Sequence, residues 1–422
     1  MAPSLPAAEQ HLPSWTDTSQ PGSEQSGASE DPGQTGGPLD GTPFGFGAYV
    51  HIPFCERRCD YCDFATWTDR SHLIDEYLDA CVEHARTMVA RRAERIEHVF
   101  FGGGTPSLVP PERLVEIVAA LEPVDGAEIT VEVNPDSFTA RHAEIYARSG
   151  INRISIGVQS MDDTVLTALG RTHDRDNVAR AVDYVRDAGI AQCSLDLIYG
   201  SPAETLESWV ASVRGALALR PDHLSCYALT VEPGTPLGKA IAGGVAPAPD
   251  DDAQADRYEL IDELCETGGL EWYEISNWAR PGSECRHNQN TWAGGAYLAI
   301  GAAAHGFVDG SRYWNVRTPE RYIEAIQSNG PAVAGTSRVS EADLVDESLM
   351  LGLRTRTGVD LGDWAESVKA TARQLIADGV LALSDRQFPK PESGAFRVAL
   401  TQKGRLLASH VITELAAARA ES

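Results

Sequence analysis

Downstream of Gly47 the chain alternates between two hydrophobic rhythms. Runs dense in β-branched and aromatic residues, at 48–52, 96–101, 129–133, 153–158, 192–199 and 223–229, have the length and composition of buried strands. Between them, 75–92, 111–121, 140–149, 176–188 and 205–219 carry apolar residues at helical spacing; Leu78, Cys81 and Val82 fall on one side of the first. Six strand–helix units of roughly 25–40 residues predict an α/β fold, a parallel sheet curling into a partial (β/α)6 TIM-like barrel. Right-handed crossovers would return every helix to the outer face.

The rhythm breaks at both ends. Residues 1–41 are rich in Pro, Gly, Ser and Gln and contain no Lys or Arg. Such a segment buries too little apolar surface to offset its ordering entropy, which predicts a disordered tail. Beyond Pro236, a helix at 255–268 and a strand at 271–275 lead into a polar, aromatic-rich stretch, 277–314. From about Ser340, helices at 341–354 and 363–378, short strands at 381–383 and 396–400, and a last helix from Thr401 to about Ala418 predict a small winged-helix-like α+β domain. It is not basic enough for a DNA-binding unit, so a packing or lid role is expected. The expected organisation is thus a tail (1–41), a core barrel (42–236), a barrel extension (237–335) and a C-terminal domain (336–422).

Composition narrows the function classes. Among 422 residues, 61 acidic against 35 basic give a net charge of -26. Phosphate-tracking nucleic-acid binding needs clustered Lys and Arg, so neither nucleic acid nor an anionic lipid surface is an expected partner. No apolar run reaches the ~18–20 residues that cross a bilayer, and the N-terminus lacks a basic segment followed by an apolar one. Cys81, Cys193, Cys226, Cys265 and Cys285 are scattered rather than set out as a disulfide framework. An acidic, cytoplasmic protein with reduced thiols is expected.

The chemistry concentrates just after the predicted strands. Cys55, Cys59 and Cys62 follow the first, at C-x3-C-x2-C spacing. A closed zinc site takes four ligands and a disulfide two. Three thiolates hold three irons of a cubane iron–sulfur cluster and leave the fourth open. The plainer account is a redox-active Cys59/Cys62 pair with Cys55 incidental. Phe54, Tyr61 and Phe64 flank the cysteines as candidate apolar cover. Gly102-Gly-Gly-Thr-Pro106 follows the second strand, without the Lys-Ser/Thr of a phosphate loop; its glycines would let backbone approach a small ligand. Glu132, Asn134 and Pro135 end the third strand, Gln159 the fourth, Asp196 to Gly200 the fifth and Tyr227 the sixth. In barrels of this class the C-terminal strand ends form the active face. Glu132, Gln159, Arg171 and Asp196, each unremarkable as a surface or capping residue, could together hold a ribose, a carboxylate and an amine.

Taken together, Tyr49-Val-His-Ile-Pro-Phe-Cys55, the cysteine spacing, Gly102–Pro106, Glu132-Val-Asn-Pro135, Ile156-Gly-Val-Gln-Ser160, Gly170-Arg-Thr-His173 and Asp196-Leu-Ile-Tyr-Gly200 resemble the radical S-adenosylmethionine (SAM) proteins. More narrowly, they resemble the group that joins oxygen-independent coproporphyrinogen III oxidases with HemW-type heme chaperones. The resemblance spans about Phe46 to Leu415 and makes the barrel a radical SAM barrel and the last domain HemN-like. It implies a 4Fe-4S cluster on Cys55, Cys59 and Cys62, with SAM chelating the open iron. Tyr49, Gly103, Gly104, Thr105, Glu132, Gln159, Arg171 and Asp196 match positions that contact SAM in the family. Reductive cleavage of the sulfonium would release a 5′-deoxyadenosyl radical.

Two features choose between the branches. The oxidases resemble C-x3-C-x2-C-x-C, and here Phe64 replaces the last cysteine, as in the chaperones. His287-Asn-Gln-Asn-Thr-Trp292 resembles the H-N-x-x-Y-W motif associated with heme in HemW-type chaperones, with Thr291 in place of Tyr. His287 is the candidate axial ligand and Trp292 a candidate contact; Cys285 and His305 are competitors, and a satisfied structural histidine is the plainer account of His287. Tyr273-Glu-Ile-Ser-Asn277 also resembles the group, without an assigned role. The expectation is a heme chaperone that binds the cluster, SAM and heme, takes electrons from a donor and passes heme to an unidentified acceptor protein. Membrane contact is expected only through that acceptor. The alternative is a coproporphyrinogen III oxidase, against which the missing fourth cysteine counts.

Overall fold

The computed structural model describes residues 42–384 and 396–420. The tail expected at 1–41 lies outside the described residues. Two compact units divide the chain after Glu341.

The first unit is built on one sheet. Strands β1 (Phe46–Ile52), β2 (Ile96–Gly103), β3 (Glu128–Val133), β4 (Arg153–Gln159), β5 (Gln192–Tyr199) and β6 (His223–Ala228) pair in sequence order, all parallel. Helices Ile74–Ala90, Pro111–Leu121, Ala140–Arg148, Arg175–Asp187 and Leu206–Ala218 fall in the crossovers. This is the expected six-unit partial barrel. Alternation along each strand separates two environments. Ala48, Val50 and Ile52 of β1, Val99 and Phe101 of β2 and Leu195 and Leu197 of β5 are fully buried, as are Leu78, Ile117 and Val213 on the helices. Their neighbours Tyr49, Glu132, Gly157 and Asp196 are only half-buried and line the lumen. Trp209, wholly buried on Leu206–Ala218, donates from Nε1 to Arg257 O at 3.2 Å.

Residues 237–335 flank the barrel sheet on both sides. On one edge lie β7 (Glu271–Glu274) and β8 (Asn277–Ala279), on the other β9 (Tyr297–Ile300), β10 (His305–Val308), β11 (Ser311–Asn315) and β12 (Val333–Arg338). β9 runs parallel to β1, so a seventh parallel strand is added from late in the chain. The strand expected at 271–275 is β7; the polar stretch 277–314 concealed β8–β11 because each has only three to five residues, too few for a period-2 pattern to register. Their hydrogen bonds come from edges that β1 and β6 leave open.

In the second unit, helices Glu341–Leu353 and Glu366–Ala377 precede β13–β15 (Val359–Asp360, Leu381–Leu383, Arg397–Leu400), a small antiparallel sheet with β15 in the middle. The expected last helix is broken into Gln402–Leu406 and Ala408–Ala420; Thr401 caps the first piece through Gly404 N–H.

Truncating Trp209 to Ala removes a wholly buried ring and leaves a cavity between helix and sheet. Chemical denaturation is expected to show a loss of about 3–5 kcal/mol; a loss below about 1 kcal/mol would contradict this packing.

Candidate functional site

The loop after β1 folds back on itself. Cys55 N–H donates to Trp67 O at 3.0 Å, Trp67 N–H to Pro53 O at 2.8 Å and Cys62 N–H to Cys59 O at 3.2 Å. The end of β2 then fastens this loop: Gly104 N–H donates to Ile52 O and Thr105 N–H to Phe54 O, both at 2.8 Å. A Cβ at Gly104 would stand 2.7 Å from each of those carbonyl oxygens, so the two backbones approach this closely only with glycine. The expected ligand-cradling role of Gly102–Pro106 is thereby joined by another, binding the cysteine loop to the sheet.

Cys55, Cys59 and Cys62 are half-buried, whereas the other five cysteines are buried. Burial pushes the Cys55 thiol up, against hydrogen bonds from Thr105 and Thr66, and pushes Cys62 up to about 11. Donors that favour thiolate stand alongside. Thr105 Oγ1 donates to Cys55 Sγ at 3.6 Å and Arg171 Nη1 to Cys59 Sγ at 3.4 Å. Arg171 is itself pinned by Nη2 donating to Gly157 O at 2.9 Å and Asn134 Oδ1 at 3.2 Å. Burial opposes its charge, but Tyr61 and Cys59 outweigh burial and raise its pKa. The Arg171 backbone is fixed by its N–H donating to Leu166 O at 2.9 Å, and the helix just beyond opens on a reciprocal cap between Asp174 and Asn177 at 2.9 and 3.0 Å. Among the described residues no three His, Cys, Asp or Glu side chains converge on a single-ion site. A cluster spreads its thiolates over separate irons and asks for a looser set.

The apolar cover is only partly as expected. Phe54 is buried and Tyr61 packs against Val165, Leu169, Ile198, Leu229 and Leu237. Phe64 is 60% exposed and shields nothing.

Beside the thiols, two carboxylates face each other in the lumen. Glu132 Oε2 accepts from Gly103 N–H at 3.3 Å; Asp196 accepts from Ser155 Oγ at 2.8 Å and Ser194 Oγ at 3.5 Å. Burial, then the charge of Asp196, pushes Glu132 up to about 8. Burial also raises Asp196, against the hydroxyls of Ser225, Ser155 and Ser194. Neither forms an ion pair among the described residues, so a positively charged ligand would relieve both. Gln159 adopts φ 62 at a bulge in the β4–β5 pairing, a strained conformation for a residue with a Cβ. Gly157 makes room for it: a Cβ there would lie 2.9 Å from Gln159 Nε2. Tyr49 OH lies 3.1 Å from His51 Nδ1. All eight SAM-contact candidates are half-buried; Glu132 links Gly103 to Asp196, Arg171 reaches Gly157 and the Cys59 thiol, and Thr105 the Cys55 thiol. Half-buried thiols with donors, an acid pair without a cation and a strained bulge fit a cluster with a small cationic ligand.

Sequence reasoning missed Ser155, Ser194 and His51. Their signal was register: Ser155 and Ser194 stand two positions before Gly157 and Asp196, on the same strand face.

The heme motif lies elsewhere. The helix Arg286–Trp292 crosses the N-terminal strand ends, with Arg286 N–H donating to Glu128 Oε1 at 2.7 Å and Arg153 Nη2 to Ser283 O at 2.9 Å. From there His287 projects up into the lumen. Its ring stacks on Phe100 (5.0 Å) and Tyr49 (6.1 Å), meets Tyr297 edge-on, and places Nδ1 3.3 Å from His98 Nδ1. Burial lowers its pKa to about 4, so the imidazole is neutral, as an iron ligand must be. The ring partners of His287 are Tyr49, His98, Phe100 and Tyr297, and Trp292 is not among them. Cys285 is buried, and burial raises its thiol, which disfavours a thiolate competitor. His305 opens β10 at the mouth, exposed and stacked on Trp314 at 6.1 Å.

A carboxylate whose folded pKa is raised holds its proton in the folded chain after the unfolded chain has lost it. Stability therefore falls as pH rises towards about 8. Between about pH 6.5 and 8, above the range where buried histidines titrate, the cluster-free protein is expected to melt progressively lower. Glu132→Gln is expected to flatten that slope, and an unchanged slope would rule out a buried, uncompensated Glu132.

The chain is similar to known proteins. The Radical SAM superfamily pattern matches residues 49–214 and the HemN C-terminal domain pattern matches 339–407. The heme chaperone HemW of Mycobacterium tuberculosis is 37% identical over 386 residues, 90% of this chain and 96% of that one. HemW of Bacillus subtilis is 34% identical, over 86% and 97%. The mouse mitochondrial radical S-adenosyl methionine domain-containing protein 1 is 35% identical, over 80% and 82%. Among solved structures, the coproporphyrinogen III oxidase HemN of Escherichia coli superposes with a TM-score of 0.74 over 88% of this chain and 89% of that one, at 21% identity; that likeness is one of fold. Among the described residues no helix is long and apolar enough to cross a membrane.

Proposed function

The chain belongs to the HemW group of the radical SAM superfamily, and from that premise we propose that it is a heme carrier that holds a 4Fe-4S cluster and SAM and delivers heme to an acceptor protein. The observation that carries the choice is Phe64, exposed at the position where the oxidase branch has a further cysteine. A phenyl ring there can ligate nothing, which counts against coproporphyrinogen oxidation.

In this reading Cys55, Cys59 and Cys62 hold the cluster, with Thr105 and Arg171 stabilising two of the thiolates. Tyr49, Gly103, Gly104, Thr105, Glu132, Gln159, Arg171 and Asp196 surround SAM. Glu132 and Asp196 orient its cationic groups, and that contact in turn favours their own ionisation. When bound, the cluster and SAM supply one-electron chemistry. His287 offers neutral imidazole to heme iron, and Phe100, Tyr49 and Tyr297 give it an apolar, aromatic surround suited to a porphyrin face. Trp292, at the end of the same helix, is the second heme contact in this reading. An electron donor, an acceptor for heme and a cytoplasmic setting complete the proposal.

Anaerobically reconstituted protein, assayed on one sample for coproporphyrinogen turnover and for heme retention, separates the two branches. Stable heme with no decarboxylated product is expected; turnover would sink the carrier reading. His287→Ala is expected to weaken heme retention at least tenfold while the cluster absorbance stays. Cys59→Ser is expected to lose that absorbance, and an unaltered spectrum would refute the cluster assignment.

A further inference from the structure

A continuous run of buried side chains joins the acid pair at the mouth to the helix at the other end of the lumen. Asp196 Oδ1 is 3.5 Å from Ser194 Oγ, Ser194 Oγ is 2.7 Å from His223 Nδ1, and His223 Nε2 is 2.8 Å from Tyr273 OH. Tyr273 OH accepts from the Cys285 N–H at 3.4 Å. Ser194, His223, Tyr273 and Cys285 are each at most 4% exposed. Cys285 is the cap residue of Arg286–Trp292, two positions before His287.

The run has a preferred direction. An ionised Asp196 only accepts, so Ser194 donates to it and Ser194 Oγ accepts from His223 Nδ1–H. Burial holds His223 well below its usual pKa, so the ring is neutral and Nε2 is bare. Tyr273 then donates to Nε2 and keeps its oxygen for the Cys285 N–H. Every polar group is satisfied. In the reverse direction Ser194 donates to Nδ1 and His223 Nε2–H donates to Tyr273. The Tyr273 hydroxyl proton is then left without an acceptor among the described residues, a costly arrangement for a buried donor. A cation against Asp196 holds that carboxylate ionised and selects the satisfied direction.

We propose that Ser194, His223 and Tyr273 form a directional hydrogen-bond relay through which SAM, bound at Asp196, steadies the helix that presents His287 and so tightens heme retention. This rests on the heme-carrier reading above. His223 and Tyr273 are positioning residues: they touch neither ligand and act through the Cys285 amide. Linkage makes the effect reciprocal, so heme tightens SAM binding by the same factor.

The test is a Soret titration of heme into cluster-reconstituted full-length protein, with and without saturating SAM. Wild type is expected to bind heme about tenfold more tightly with SAM, within the usual range of coupling between sites. Tyr273→Phe, which removes one oxygen and keeps the ring, is expected to bring that ratio to about one, with cluster absorbance and melting temperature reporting an intact fold. His223→Phe, which breaks the run between Ser194 and Tyr273, is expected to do the same; should it fail to fold, Tyr273→Phe carries the test alone. A merely structural tyrosine would lower both affinities and leave the ratio intact; that result overturns the relay. A wild-type protein that binds heme with a ratio of one overturns the relay but not the carrier reading, whereas wild type that binds no heme at all overturns both.

Discussion

Parallel pairing of β1 with β2, carried past the strands by Gly104 and Thr105, is the constraint on which the mouth depends. The last sheet pair is Ile52 with Gly103. Beyond it, two further backbone hydrogen bonds tie the cysteine loop to the end of β2. A loop held this way on both sides presents three thiols without being buried by them. The neighbouring strands add lumen-facing polar residues: Glu132 on β3, Ser155 and Gln159 on β4, Ser194 and Asp196 on β5.

The barrel has two interiors with opposite chemistry. Outside the sheet, against the helices, side chains are apolar and close-packed. Inside, the lumen holds carboxylates, serines and histidines whose desolvation is only partly offset. Burial, then the charge of Asp196, holds Glu132 towards its protonated form, burial raises Asp196 as well, and Gln159 occupies a strained backbone conformation. Features that cost stability in the free protein are where a cationic ligand would restore it. The well-packed outer layer, with rings such as Trp209 and Tyr77 wholly buried, is what makes that cost tolerable.

The two ends of the lumen are not independent. His287, entering from the N-terminal end, stacks on Tyr49, whose hydroxyl reaches His51 next to the Gly103 turn. On the other side, serines, His223 and Tyr273 run from Asp196 to the amide of Cys285. The H-N-x-x-x-W segment is thus less a surface motif than the floor of the barrel. Its histidine belongs to the same chamber as the cysteines.

Sequence alone determined the six strand–helix units, the order of the barrel strands and the residues at its mouth. These are local properties: period-2 and helical spacing act over a few residues, and motifs at strand ends inherit their position from the strand. Phe64 in place of a cysteine was likewise legible as a matter of chemical identity, although its exposure was not. What only tertiary structure decided is non-local. β9 joins β1 across the chain between residues 50 and 297, a pairing set by an open sheet edge rather than by any pattern in its four residues. Gly104 meets the Ile52 and Phe54 carbonyls, and Ser194, His223 and Tyr273 fall into line, because the sheet curls and brings alternate positions of separate strands together. That His287 looks into the lumen, rather than out to solvent, follows from where the Cys285–Trp292 segment lands on the N-terminal strand ends. Hydrogen-bond partners and burial on that scale are set by which distant backbones meet, and one-dimensional periodicity carries no record of that.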